Sequence, residues 1–231
     1  MMVYSWRELL LSFKVLLGEP MLNTMAIMLG STALACLGGI PLGVYLVLTS
    51  PGYPLAAGKL YGFVSFLINT IRSIPTIILV ILLSSLFYFR YSIYRPTDFA
   101  LLVEAVVMWA IAATPLCARL VETALKEVDK GLIEAAFASG ANVRQLVTKV
   151  MLKEARPGLV LGITTLAITI LGTTVMSETI AIRTVASRAV VRATIDNDGE
   201  FIVSGIVLLA LIITVVQSIG TAYARYSDKS R

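Results

Sequence analysis

Between Glu19 and Lys59 the chain runs for thirty-nine residues without a charged side chain. The core of this interval, "NTMAIMLGSTALACLGGIPLGVYLVL", exceeds the roughly 20 apolar residues a helix needs to cross the hydrocarbon of a bilayer. A soluble fold would have to bury such a segment on every side, and 231 residues do not enclose that much interior. Composition points the same way: 58% of the residues are hydrophobic and 14% charged, against about 45–50% and about 25% in soluble domains. The interval therefore predicts an integral membrane protein. Gly38, Gly39, Pro41 and Gly43 within it predict neighbouring helices that cover the backbone these residues open.

Other apolar intervals extend the pattern. Spans are expected at about 22–48, 73–89, 99–118, 157–177 and 201–224, in a single domain covering residues 1–231. The predicted fold class is an all-α membrane protein with five transmembrane helices and a long polar loop, 119–156. "KLYGFVSFLINTI" approaches the second span along the interface, and the N-terminal "MMVYSWRELLLSFKVLLGEP", with Arg7, Glu8 and Lys14, reads as an amphipathic surface segment rather than a cleaved signal. An odd number of spans puts the termini on opposite sides. With the long loop and C-terminus on one side, that side carries eleven Lys and Arg: Lys59, Arg119, Lys126, Lys130, Arg144, Lys149, Lys153, Arg156, Arg225, Lys229 and Arg231. The other side carries seven (Arg7, Lys14, Arg90, Arg95, Arg183, Arg188 and Arg192), Arg72 standing aside. The excess favours a cytoplasmic loop and C-terminus and an external N-terminus.

Several function classes drop out. The net charge of +5 is spread between apolar segments without a run of five or six cations, so it suits lipid headgroups rather than nucleic acid. Cys36 and Cys117 lie in apolar stretches without metal spacing and read as packing residues. Histidine is absent, which removes the commonest base and metal ligand, and no nucleophile set or metal site suggests an intramembrane enzyme. No repeated filter or ring of like charge suggests an ion channel. No GxxxxGK[ST] phosphate loop is present, so this chain is not expected to hold ATP in the usual way.

The polar loop is where the sequence departs most from lipid-embedded helix. "VETALKEVDKGLIEAAFAS" predicts helix, broken at Gly131 and resuming to Gly140, which suits the left-handed position after a helix end. Asn142 offers an N-cap, with Gln145 three positions on to complete a capping box, and "VRQLVTKVMLKEA" continues at helical spacing to Pro157. Ala135, Ala136, Ala138 and Ser139 are small and allow close approach to another surface; Glu134 offers a carboxylate to a basic partner. A solvated connector with ordinary caps would use the same residues.

The spacing Glu134-Ala135-Ala136, three residues, Gly140, nine residues, Val150-Met151-Leu152 resembles the EAA motif of permease subunits of bacterial ABC importers. Lys153 stands where that motif usually carries proline. "RSIPTIILV" (72–80), "ATPLCARLVETAL" (113–125), "DKGLIEAA" (129–136) and "EARPGLV" (154–160) resemble the methionine-type permeases among them, over roughly residues 22–170. The resemblance implies a type I importer fold in a bacterial inner membrane and a homodimer of this subunit. It also implies two cytoplasmic ATPase subunits that bind ATP and Mg, an external solute-binding lipoprotein, and no cofactor or metal in this chain. It makes Glu134, Ala135, Ala136, Ala138, Ser139 and Gly140 the coupling helix that seats in the ATPase.

On the same footing Arg72 and Ser73, at the edge of a span, and Met176, Ser177 and Glu178, closing the fourth, become candidates for lining a methionine pathway. A permease for another small polar solute or amino acid is the alternative. The family usually carries a glycine-rich G-x-G-G-L-G stretch after the fourth span. Here "TTVMSETIAIRTVASRAVVRATIDNDGE" has Gly199 alone, and a short helix with an Arg192–Asp196 pair is expected in its place.

Overall fold

The computed structural model describes residues 6–91 and 97–228, and the side chains of all of these except 87–91. Among the described residues every regular element is helical. In chain order they are α1 (Trp6–Leu16), α2 (Glu19–Thr49), α3 (Gly58–Ser73), α4 (Thr76–Tyr91), α5 (Asp98–Lys126), α6 (Lys130–Ala138), α7 (Val143–Gln145), α8 (Leu152–Glu154), α9 (Arg156–Thr173), α10 (Val185–Ile195) and α11 (Gly199–Ser227). A π-helical stretch, Leu146–Met151, joins α7 to α8, and a 3₁₀ segment, Thr174–Ile180, follows α9. Of the cations counted for orientation, Arg95, Lys229 and Arg231 lie outside the described residues, as does the side chain of Arg90.

Among the described residues four helical segments are long and apolar enough to cross a membrane: Glu19–Thr49, Asp98–Lys126, Arg156–Ile180 and Gly199–Ser227. A fifth span exists if α3 and α4, broken at Ile74–Pro75, count as one. Helix α5 runs past the expected span end at 118 to Lys126, joining the helix read from Val121, and Arg119 and Lys126 there find partners on α3. One detail differs from the sequence expectation. The break placed at Gly131 falls instead at Glu127–Asp129: Gly131 lies inside α6, and its N–H is taken by the Asp129 N-cap carboxylate at 2.6 Å.

The chain forms two compact units, one of residues 1–34, 75–112 and 167–216, the other of 35–74, 113–166 and 217–231. In the first, Met28, Ala167, Leu171 and Ile212 form one buried cluster and Leu16, Val185 and Leu208 another. Trp109 is buried there, and its indole N–H donates to Thr173 Oγ1 at 2.9 Å, which satisfies the one polar group the ring carries. Ser12, on the buried side of α1, meets Ser204 Oγ at 2.5 Å, so the N-terminal helix is tied to α11 by its hydroxyl while Trp6, Leu10 and Leu11 stay exposed.

In the second unit, close packing rests on small residues, as lipid leaves little hydrophobic drive between helices. A Cβ on Gly39 would lie 2.5 Å from Cys117 Cβ, and one on Gly43 would lie 2.6 Å from Val121 Cβ, so the Gly39-x-x-x-Gly43 face brings α2 directly onto α5. Cys36 and Cys117 sit at this crossing with their sulfurs 3.9 Å apart, as packing residues.

Candidate functional site

The loop between α5 and α9 is built from capped short helices. Asp129 caps the start of α6. At its end the N–H of Gly140 bonds to Phe137 O at 2.8 Å and that of Ala141 to Ala136 O at 3.0 Å, while Gly140 takes φ +80°. This pair of bonds is a Schellman closure, and a left-handed residue at its hinge is what calls for glycine. The next helix starts at once: Asn142 Oδ1 accepts from Gln145 N at 2.8 Å and Gln145 Oε1 accepts from Asn142 N at 3.0 Å, a complete capping box. Leu146 and Met151, both buried, anchor the π-helical stretch that packs against α6. Lys153 does not disturb the exit. The turn falls at Ala155, and Pro157 stands in the first turn of α9, where its missing N–H leaves no bond unmade.

This scaffold presents one helix outward. Only Ile133 of α6 is buried; Glu134, Ala135, Ala138, Ser139 and Gly140 are exposed and Ala136 is half-buried. Leu132 and Phe137, 45% and 37% exposed, add apolar surface beside the small residues. Reasoning from small residues passed over these two; the signal was a bulky apolar residue on each side of Glu134-Ala135-Ala136, in a helix with a single buried anchor. The knob is firmly rooted. A Cβ on Gly158 would lie 3.2 Å from Ala124 Cβ, and one on Gly162 would lie 3.3 Å from Leu120 Cβ, so the two stems of the loop, α5 and α9, pack backbone against side chain.

The remaining candidate residues divide between the two units. Arg72 and Ser73 close α3; both are exposed, and Ser73 returns its hydroxyl to Asn69 O at 2.9 Å. Met176, Ser177 and Glu178 lie in the 3₁₀ segment of the other unit. Met176 is 44% exposed and borders a small hollow with Thr76, Val80, Trp109, Thr173 and Thr179. Glu178 pairs with Arg188 at 3.6 Å.

Ser177 differs from the sequence picture of a solute-facing residue. It is wholly buried, donating to Ile182 O at 2.9 Å and lying 3.0 Å from Thr184 Oγ1. Thr184 in turn caps α10 and reaches Thr174 O at 2.9 Å, while Thr24 Oγ1 on α2 accepts from Val185 N at 2.9 Å. Where glycines were expected, buried hydroxyls hold the turn, with Ala181 at φ 61° supplying its left-handed step. The short helix predicted after it is α10, and its Arg192–Asp196 pair is present at 2.9 Å. Among the described residues no group of three or more Cys, Asp or Glu could hold a metal ion.

Comparison with known proteins agrees with this geometry. The chain is 44% identical to the D-methionine transport system permease protein MetI of Escherichia coli (strain K12) over 126 residues, which are 54% of this chain and 56% of that protein. The match thus spans just over half the length of that relative. The methionine import system permease protein MetP of Bacillus subtilis (strain 168) is 34% identical over 184 residues, 80% of this chain and 81% of that protein. A solved structure described as an inward-facing conformation of the MetNI methionine ABC transporter superposes with a TM-score of 0.84 at 33% identity, covering 93% of this chain and 97% of its own. Residues 39–231 match the model of the family described as "Binding-protein-dependent transport system inner membrane component". An all-helical membrane chain with an exposed, doubly capped helix between its spans thus belongs to the binding-protein-dependent transport system inner membrane components.

Proposed function

We propose that this chain is the membrane-spanning subunit of an ATP-driven importer for methionine, and that α6 is the element through which a separate ATPase drives it. The exposed knob Glu134–Gly140, rooted on two mutually packed stems, carries the reading. Leu132 and Phe137 lie uncovered beside a strip of alanines, an apolar surface that a docked partner would cover. The solute rests on the relatives, whose names are those of methionine permeases; a permease for another amino acid is the second reading.

In the working cycle two copies of this chain face each other in a bacterial inner membrane, N-termini outside and C-termini in the cytoplasm. Two ATPase subunits hold ATP and Mg and close on each other, drawing the two α6 knobs together. That movement opens the spans outward to take solute from an external binding lipoprotein, and hydrolysis resets them. This chain performs no bond chemistry. Arg72 and Ser73 border the route in the unit of the coupling loop; Ser177, in the other unit, acts through the turn it holds.

The test is uptake of labelled methionine by permease and ATPase reconstituted together, with other amino acids as competitors. Saturable, ATP-dependent uptake in which methionine outcompetes the rest supports the reading. A different winning solute overturns the substrate and leaves the permease; a permease that never co-purifies with an ATPase overturns both.

A further inference from the structure

In the unit that holds the coupling loop, α3 and α5 face each other through two polar stripes. On α5, Arg119, Glu122 and Lys126 fall at positions i, i+3 and i+7; on α3, Tyr61, Ser65 and Asn69 fall at i, i+4 and i+8, so each set lines one helix face. The stripes interlock. The Glu122 carboxylate, 5% exposed, accepts from Lys126 Nζ at 2.7 Å and from Tyr61 OH at 3.0 Å, and on its other oxygen from Arg119 Nη1. Arg119 Nη2 then crosses to Ser65 O at 3.0 Å, to Asn69 Oδ1 at 2.9 Å and to the Ser65 hydroxyl. Lys126 also lies over the Tyr61 ring, 5.3 Å from its centroid.

Glu122 is the keystone. It neutralises two cations that would otherwise line the same helix face, and breaking a buried ion pair by removing one partner is far more disruptive than never having built it. Little else holds α3 in this unit. Ile68 is its one buried apolar residue, joined by Tyr61 and Val64 against Leu46 and Ala118, while Phe63, Phe66, Leu67 and Ile71 are exposed. On another face of the same α5 segment stand Leu120 and Ala124, the residues against which α9 packs through Gly162 and Gly158. The coupling loop, both of its stems and α3 are therefore joined without a slack connection, and α3 ends at Arg72 and Ser73.

We infer that the Tyr61–Ser65–Asn69/Arg119–Glu122–Lys126 seam makes α3 follow the coupling loop, with Glu122 as a positioning residue that delivers the ATPase stroke to Arg72 and Ser73. The inference rests on the importer reading and adds the route by which force leaves the knob. Its test uses the reconstituted permease–ATPase complex and reads methionine imported per ATP hydrolysed. For Glu122→Gln this ratio falls about tenfold, and for the milder Tyr61→Phe about twofold, within the range of couplings known for such networks; ATPase association and hydrolysis persist in both.

A second measurement separates force transmission from simple stability. Spin labels at Thr70→Cys and Lys149→Cys, in a Cys36→Ala/Cys117→Ala background, report the distance between α3 and the loop. With the seam intact that distance is the same without nucleotide and with ATP; with Glu122→Gln it changes on ATP binding. An unaltered import ratio in Glu122→Gln, or a nucleotide-dependent distance in the intact seam, overturns the inference and leaves the importer reading standing. Failure of the unmutated chain to bind the ATPase overturns both.

Discussion

Two irregular connections in this molecule are secured in opposite ways. The loop between α5 and α9 is held by local caps at exposed positions, from Asp129, Gly140 and the Asn142–Gln145 box, and leaves most side chains of α6 exposed. The turn between α9 and α10 is held by side chains: Thr174, Ser177, Thr184 and Ser187 are wholly buried, and their hydroxyls take up the bonds the backbone has left open. Capping with main-chain and local groups frees a surface for a partner. Capping with buried hydroxyls uses the surface up. The difference shows why a serine inside a sequence motif can be structural while an unremarkable alanine strip is the working face.

The comparison breaks most readily at Thr184. Thr184→Val strands the buried partners of its hydroxyl, each worth about 1–3 kcal/mol, so a loss of about 3 kcal/mol is expected. Thermal unfolding in detergent should show it, with ATPase binding intact below the transition. If Thr184→Val unfolds like the parent, the hydroxyl turn is not the support described. Next comes Glu134→Lys, which should weaken ATPase association about tenfold, or about 1.4 kcal/mol, while leaving the unfolding temperature alone; a pull-down alongside the melt separates the two. A drop in stability without a drop in binding would reverse the contrast between the regions.

Smaller effects sharpen it. Asn142→Ala removes the cap of the second loop helix and should cost about 1 kcal/mol locally, read as faster amide exchange over Val143–Met151 and not elsewhere. Arg192→Gln removes exposed pairs to Asp196 and Asp198 at 2.9 and 3.7 Å. It should shift stability by about 0.5 kcal/mol or less, so a larger change in the melt would mean that α10 depends on this ion cluster more than its exposure indicates.

Much of this was readable in advance where the determinants are local. Gly140 announced a left-handed helix end, Asn142 and Gln145 their capping box, and Arg192 and Asp196 their one-turn spacing; the structure contains all three. The misplaced break at Gly131 is instructive because the signal was local and still misread. Glycine is a weak breaker beside a good cap, and Asp129 two positions earlier supplied the cap. The partners of the α5 charges were not readable for another reason. Arg119, Glu122 and Lys126 look like the edge of a span when charges are counted along the chain. Tyr61, Ser65 and Asn69, some fifty to sixty-five residues earlier, answer them across a helix pair.

By itself the sequence determined that the chain is helical and membrane-embedded, and it determined where the first loop helix ends and the second begins. Apolar length and cap chemistry act over at most a few turns, so no distant residue is needed to read them. Tertiary structure alone decided which serines are buried, which apolar side chains of α6 stay uncovered, and that one carboxylate on α5, Glu122, is buried between its cations and α3. Those outcomes depend on what packs opposite each side chain, and a polar group's partner in a folded chain is set by geometry across helices rather than by order along them.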